Sequence, residues 1–263
     1  MKPIKNTWCI QIDITNYCIN KCSNCTHLIP HFKSPKNMKL DVFIKAVEAL
    51  KGFNGLIGII GGEPTLNPMW RSMLIYLNKA VGKQRTGFWT CRPEHLEFIR
   101  ERAGYINYNP HTDKVEHSPV LVASGEIIAD KKERDEAISN CWLAEKWSPG
   151  ITEKGLYRCE VMGAMDMILN KNLGVDPVNW DKDMDFYKEQ VNYFCDKCGV
   201  CLNLKGRVDA ERVDDISRKN YDLFLEAESP RIKQEHYNLV ELDNLPTAEK
   251  EPWKYIVAMK DKK

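Results

Sequence analysis

Cys18, Cys22 and Cys25 stand in the stretch NYCINKCSNCTH, Asn16 to His27, as a C-x3-C-x2-C array. Three thiols this close cannot pair off as disulfides, and soft thiolates favour iron-sulfur clusters, zinc or copper(I). Most 4Fe-4S clusters take four cysteines, so a set of three points to a cluster with one iron left open. A second group follows: Cys141, Cys159, and then Cys195, Cys198 and Cys201 in the run CDKCGVC. Four cysteines serve zinc as well as iron-sulfur, and ligand type alone does not separate the two. Between the groups lies Gly61-Gly62-Glu63-Pro64, where two glycines let backbone come close to a ligand without side-chain clash. Cys9 and Cys91 are isolated, and the default for a buried thiol is inert packing.

The elements that must position these residues alternate between strand and helix. In TWCIQIDI, residues 7 to 14, Trp8, Ile10, Ile12 and Ile14 face one side, and Cys9, Gln11 and Asp13 the other, which predicts a strand leading into the cysteine loop. Helical spacing at Leu40, Phe43, Ile44, Val47 and Leu50 is followed by a short apolar strand, Leu56 to Ile60, running into Gly61. Further on, the pattern predicts a helix over Met69 to Val81 closed by Gly82, a strand at Thr86 to Cys91 and a helix opened by Pro93. Strands are then expected at Tyr105 to Tyr108, Pro119 to Ser124 and around Val115, with a charged helix from Asp130 to Asn140. ITEKGLYRCE reads as a hairpin turning at Lys154-Gly155 with Cys159 on its return strand, in a region that also holds Trp147. A helical stretch is expected from Val161 to Leu169, and the last sixty residues read as short segments with a solvated charged face.

With 263 residues the chain can bury a full core and suits one domain with a smaller one appended. The formal net charge of +1, with no long basic stripe, disfavours nucleic acid as a partner. No cleavable apolar leader opens the sequence and no apolar run is long enough to span a bilayer, so no membrane association is expected. Ten cysteines are then best read as reduced, metal-holding thiols of a cytoplasmic protein.

The three-cysteine array, followed one βα unit later by GGEP, resembles the radical S-adenosylmethionine (SAM) superfamily. The resemblance implies a 4Fe-4S cluster on Cys18, Cys22 and Cys25, with SAM at its open iron and its amino group met by Gly61, Gly62, Glu63 and Pro64. It also implies a partial (β/α)6 barrel, with ligands at the carboxyl ends of the strands. On that geometry Thr90 and Ser124 are candidates for SAM ribose contacts, and Arg92, Tyr108, His111, His117 and Glu126 for catalytic bases or substrate anchors. The order of the later cysteines is similar to the twitch domain, a shortened relative of the SPASM domain, and to the twitch dehydrogenases that oxidise an amino-cyclitol in aminoglycoside biosynthesis. By that likeness Cys141, Cys159 and two of Cys195, Cys198 and Cys201 hold an auxiliary 4Fe-4S cluster. The expected organisation is a barrel over 1–139, a twitch-like unit over 140–205 and an extension over 206–263.

The implied chemistry is removal of hydrogen from an unactivated C–H bond by a 5′-deoxyadenosyl radical. An auxiliary electron acceptor favours dehydrogenation of a secondary alcohol on a sugar, nucleotide-sugar or cyclitol, with a flavodoxin or ferredoxin as electron donor. Epimerisation through a surplus thiol, Cys9, Cys91 or Cys201, is a second route. Peptide modification is disfavoured by chain length. A noncatalytic iron-sulfur carrier or sensor is the non-enzyme reading, against which GGEP argues.

Overall fold

The computed structural model describes residues 1–111, 115–143, 149–247 and 249–254. Its centre is a mixed but mainly parallel six-stranded sheet. Strand β1 (Cys9–Asp13), helix α1 (Leu40–Ala49), β2 (Leu56–Ile60), α2 (Trp70–Val81), β3 (Thr86–Thr90), α3 (Leu96–Arg100) and β4 (Tyr105–Tyr108) follow in order. The four strands pair in parallel as β4-β3-β2-β1. Each connection places a helix against one face. There Ile10, Ile12, Ile57, Ile59 and Phe88 pack with Phe43 and Val47 of α1 and with Met73, Leu74 and Leu77 of α2. Burial on both faces explains why β2 reads as an unbroken apolar run.

The opposite, inner face is set by register. Gln11 stands level with Gly58, Gly58 with Gly87, and Gly87 with Tyr105, while Asp13 is level with Ile60. A β-carbon on Gly58 would fall 2.2 Å from the Trp89 ring, so this small residue makes room for the indole to lie across the inner face. Cys9, Leu56, Ile60 and Trp89, with Tyr105 against them, close the inner face with an apolar patch.

The sheet finds its last two strands in the later hairpin. Gly150–Thr152 pairs in parallel with β1, and Gly155–Tyr157 returns antiparallel to it. The hairpin turns at Glu153-Lys154, one residue before the expected place, and its return strand ends at Tyr157. Cys159 therefore sits at the N-cap of the helix Glu160–Leu169 rather than on the strand. The expected strand at Pro119 to Ser124 is also corrected. It is a buried extended segment with a single bridge, Leu121 to Ile216, and Ser124 opens a short helix instead. An apolar run reports burial but not pairing. Near Val115, Glu116–His117 pairs with Arg207–Val208 in a separate ladder and does not join the main sheet. The charged helix is Lys131–Ser139, capped by Asp130, whose side chain accepts from the Glu133 amide. Trp147 lies outside the described residues.

A second apolar core gathers Leu28, Val120, Leu121, Tyr157, Cys159, Val161, Met165, Phe194, Ile216 and Phe224. The late segment builds a two-stranded parallel ladder, Asp214–Ser217 with Tyr237–Val240, and the helix Arg218–Glu226. Its charges are not all a solvated face: Asp209, Asp214, Asp215 and Arg231 are buried. Among the described residues no helix is long and apolar enough to cross a membrane.

Candidate active site

Beyond the carboxyl ends of β1 to β4 lies a cavity of about 320 Å³. Cys18, Cys22 and Cys25 line it together with Gly61, Gly62, Glu63, Thr90, Cys91, His111 and His117. Burial raises the thiols of Cys22 and Cys25, and each is raised further by the charge of Cys18; Cys25 reaches about 12. Cys22 and Cys25 therefore resist ionisation unless a cation offsets the cost. The Cys91 thiol lies beside the Cys18 sulfur, lowering Cys18 and raising Cys91.

The glycines fasten this loop. Gly61 has φ +139°, and a β-carbon there would fall 2.3 Å from the Thr15 carbonyl oxygen; at Gly62 it would fall 2.2 Å from the Tyr17 oxygen. The Gly62 amide donates to Thr15 O and the Glu63 amide to Tyr17 O, both at 2.7 Å. Close approach here is first of all backbone against backbone. The Glu63 carboxylate is fully engaged. One oxygen accepts from the Thr65 amide and hydroxyl and from the Thr90 hydroxyl, the other from the Cys91 amide at 2.8 Å and the Cys91 thiol at 3.1 Å. Pro64 opens the 3-10 turn that follows.

His111 and His117 meet on one carboxylate. Asp209 contacts His111 Nδ1 at 2.6 Å and His117 Nδ1 at 2.5 Å, and the two ring centres are 6.1 Å apart. Burial pushes the Asp209 carboxyl up, but the two histidines hold it below the ordinary range. The His111 contact is a hydrogen bond, whereas His117 Nδ1 and Asp209 Oδ1 lie within ion-pair distance without hydrogen-bond alignment. Cys22 Sγ is 3.4 Å from His111 Nδ1, and the ligand atoms of Cys22, His111 and Asp209 all lie within 4.8 Å of one another.

The late segment also clamps the cysteine loop. Asp214 accepts from the Asn24 amide at 2.5 Å and from Arg231 Nε at 2.7 Å, while Arg231 donates to the carbonyls of Lys21 and Cys22 at 2.9 Å. His31 joins Asp214 to Ser229. Asp209, Asp214 and Arg231 were illegible in the sequence, where they stand in an ordinary charged stretch.

On the cavity wall, His27 contacts Glu160 at 4.0 Å and, behind it, Asp13 at 3.2 Å, which does not line the cavity. Burial opposes its protonation, but the two carboxylates raise it to about 9. Burial likewise raises the Glu160 carboxyl, offset in part by His27 and Thr26.

In the second cysteine group Cys159 and Cys201 are buried, and Cys141, Cys195 and Cys198 are partly exposed. Cys159 belongs to the second apolar core, and Cys141, Cys195 and Cys198 pack against it. Burial raises Cys195 and Cys198 well above the ordinary thiol range, with added repulsion from Cys141 and Cys159; Cys159 reaches about 12. Cys201 turns its sulfur toward the Cys198 carbonyl at 4.0 Å and also meets Ser124. Beside the group the guanidinium of Arg158 is fully buried; burial lowers its pKa while Cys159, Cys141 and Cys195 raise it. A buried cation among thiols fits an anionic thiolate group.

The remaining candidates lie elsewhere. Ser124 is buried beside the second cysteine group, its hydroxyl donating to Cys195 O at 2.9 Å. Glu126 accepts from the Ser217 hydroxyl and the Lys219 amide. Arg92 pairs with Glu94, and Tyr108 is an exposed residue of β4. None of these four lines the cavity, whereas Thr90, His111 and His117 do.

No protein-family model and no curated protein matches the chain. Solved structures similar to it include two of BtrN. One is the crystal structure of BtrN in complex with AdoMet and 2-DOIA, at 13% identity and TM-score 0.47, covering 73% of this chain and 91% of that one. The other is selenomethionine BtrN in an open conformation, at 12% identity and TM-score 0.43, covering 76% and 92%. Likenesses of this size carry no function across, which leaves the reading to the geometry of the site.

Proposed function

We propose that the chain is a radical SAM oxidoreductase that dehydrogenates a secondary alcohol of a sugar, nucleotide-sugar or cyclitol. The observation that carries this reading is the meeting of Cys18, Cys22 and Cys25 with Gly61, Gly62 and Glu63 around one cavity. Cys18, Cys22 and Cys25 would hold a 4Fe-4S cluster. The amides of Gly62 and Glu63 are engaged by the loop, so the groups left for the SAM ammonium are backbone carbonyl oxygens. Cys141, Cys159, Cys195 and Cys198 would hold an auxiliary 4Fe-4S cluster in a twitch-like unit over 140–205, with Cys201 as the spare. The proposed organisation is completed by a barrel over 1–139, to whose sheet the hairpin of the 140–205 unit adds its two strands, and by an extension over 206–263.

When bound, these groups supply a 5′-deoxyadenosyl radical that removes hydrogen from carbon, and an electron acceptor. The chain's own residues orient the substrate and take its hydroxyl proton at the imidazole of His117 or His111, both of which stand against Asp209. A flavodoxin or ferredoxin is the proposed electron donor.

The test is an anaerobic incubation of reconstituted protein with SAM, reductant and a panel of sugars and cyclitols in deuterated water, read by mass spectrometry. Deoxyadenosine together with a product lighter by two hydrogens supports dehydrogenation. Gain of one deuterium at carbon would favour epimerisation, the second reading, for which Cys91 is the surplus thiol that lines the cavity. No deoxyadenosine with both clusters present would replace the enzyme by an electron carrier or sensor. Zinc in place of iron and sulfide would move the first site to a mononuclear ion on Cys22, His111 and Asp209.

A further inference from the structure

Three donors of different chemistry converge beside the cavity from three separate stretches of chain: Cys22 of the cysteine loop, His111 just past β4, and Asp209 at the start of the 3-10 turn Asp209–Glu211. Their ligand atoms all lie within 4.8 Å of one another. Among the described residues no other group of three from cysteine, histidine, aspartate and glutamate is drawn this close. Any three thiols of either cysteine group therefore stand too far apart to share a single ion as they are placed, whereas this mixed set does not.

Thiolate, imidazole and carboxylate together suit zinc or ferrous iron. Bonds of about 2.0–2.3 Å put the ligand atoms of such an ion roughly 3–4 Å apart. Cys22 Sγ and His111 Nδ1, at 3.4 Å, already stand at that separation. His111 Nδ1 and Asp209 Oδ2, at 2.6 Å, must part by about 1 Å to admit the ion. One thiolate and one carboxylate balance a divalent charge, which lets Cys22 and Asp209 carry it while buried. Cys22 and His111 line the cavity, so the place is reached from it.

We infer that Cys22, His111 and Asp209 form a mononuclear site for a divalent ion of the zinc and ferrous class in the chain that carries no cluster. Cys22 is also one of the three thiols proposed for the 4Fe-4S cluster, so ion and cluster exclude each other, and zinc held here blocks cluster assembly. The ion site stands without the radical SAM reading; only the exclusion rests on it.

The test is a titration of the reduced, cluster-free chain with Co2+, a coloured stand-in for zinc, read as thiolate-to-cobalt charge-transfer absorption. Cys22→Ala is the blank, which cancels whatever the second cysteine group binds. Above that blank the wild type takes up one equivalent, His111→Ala and Asp209→Asn lose it, and Cys18→Ala and Cys25→Ala keep it. Retention in His111→Ala overturns the site, as does loss in Cys18→Ala and Cys25→Ala, or no uptake above the blank. Zinc added before iron and sulfide then stops cluster formation on the first cysteine group in the wild type and not in His111→Ala, as followed by iron content. Equal cluster formation in both would overturn the exclusion. Failure of both to form that cluster without zinc would remove the radical SAM reading and leave the cobalt result standing.

Discussion

The two cysteine groups share a ligand type and differ in everything around it. Cys18, Cys22 and Cys25 line a cavity that also presents histidines, carboxylates and asparagines, whereas Cys159 lies in an apolar core with Val161, Met165 and Phe194, and the partly exposed Cys195 and Cys198 pack against it. The first group is a set of three held on a loop by outside clamps. The second is a set of five held by the core itself, with a buried arginine as its counter-charge. Open metal sites leave a position for chemistry, and closed ones stabilise structure or pass electrons. Position in the fold, not ligand identity, separates the two.

The largest effect that tests this contrast is at the open group. Cys22→Ala should abolish deoxyadenosine formation and lower iron content by about half, since one of two clusters is lost. Survival of deoxyadenosine formation would break the assignment of the three-cysteine set.

Next comes the clamp. Asp214→Asn leaves Arg231 buried without its carboxylate and should destabilise the fold by about 3–5 kcal/mol in denaturant titration. The same residue sets an acid limit. Burial raises the Asp214 carboxyl, but His31, Arg231 and the Asn24 amide outweigh it and hold it below the ordinary range. A depressed folded value gives stability that is fully present above about pH 4 and is lost as pH falls through the folded value. Wild type should therefore lose stability steeply below about pH 4, and the variant should show a shallower slope.

A third comparison lies within the closed group. Cys198→Ala should lose the auxiliary iron, while Cys201→Ala should keep it, as followed by iron content and electron paramagnetic resonance. Equal loss in both would mean that Cys201 is a ligand and that the four-thiol selection is wrong.

The smallest effect concerns the acceptor pair. Asp209→Asn frees both histidine rings, and substrate turnover should fall by about tenfold to a hundredfold. SAM cleavage measured without substrate should fall far less. An equal fall in both would place Asp209 with the cluster loop rather than with proton transfer.

Much of this molecule could be read along the chain. The alternation of Ile10, Ile12 and Ile14 with Cys9, Gln11 and Asp13 assigned β1 and its two faces, because strand period and burial are local properties. Cysteine spacing likewise brought Cys18, Cys22 and Cys25 together, since residues on one loop are close whatever the rest of the fold does. The hairpin's place at the edge of β1 could not be read this way, nor could the withdrawal of Ser124 and Glu126 from the cavity. Both depend on pairings between segments far apart in sequence, which no periodicity encodes.

The residues that complete the site show the same division. Local sequence determined the three-thiol loop, the glycine turn at its side and the strand and helix order that brings them near. Only the tertiary structure decided that Asp209 stands between His111 and His117, that Arg231 and Asp214 hold the loop from its far side, and that Glu160 and Trp89 line the cavity. A charged or aromatic side chain looks alike in sequence whether it meets water or a buried partner, and burial is settled by which distant segments close over it.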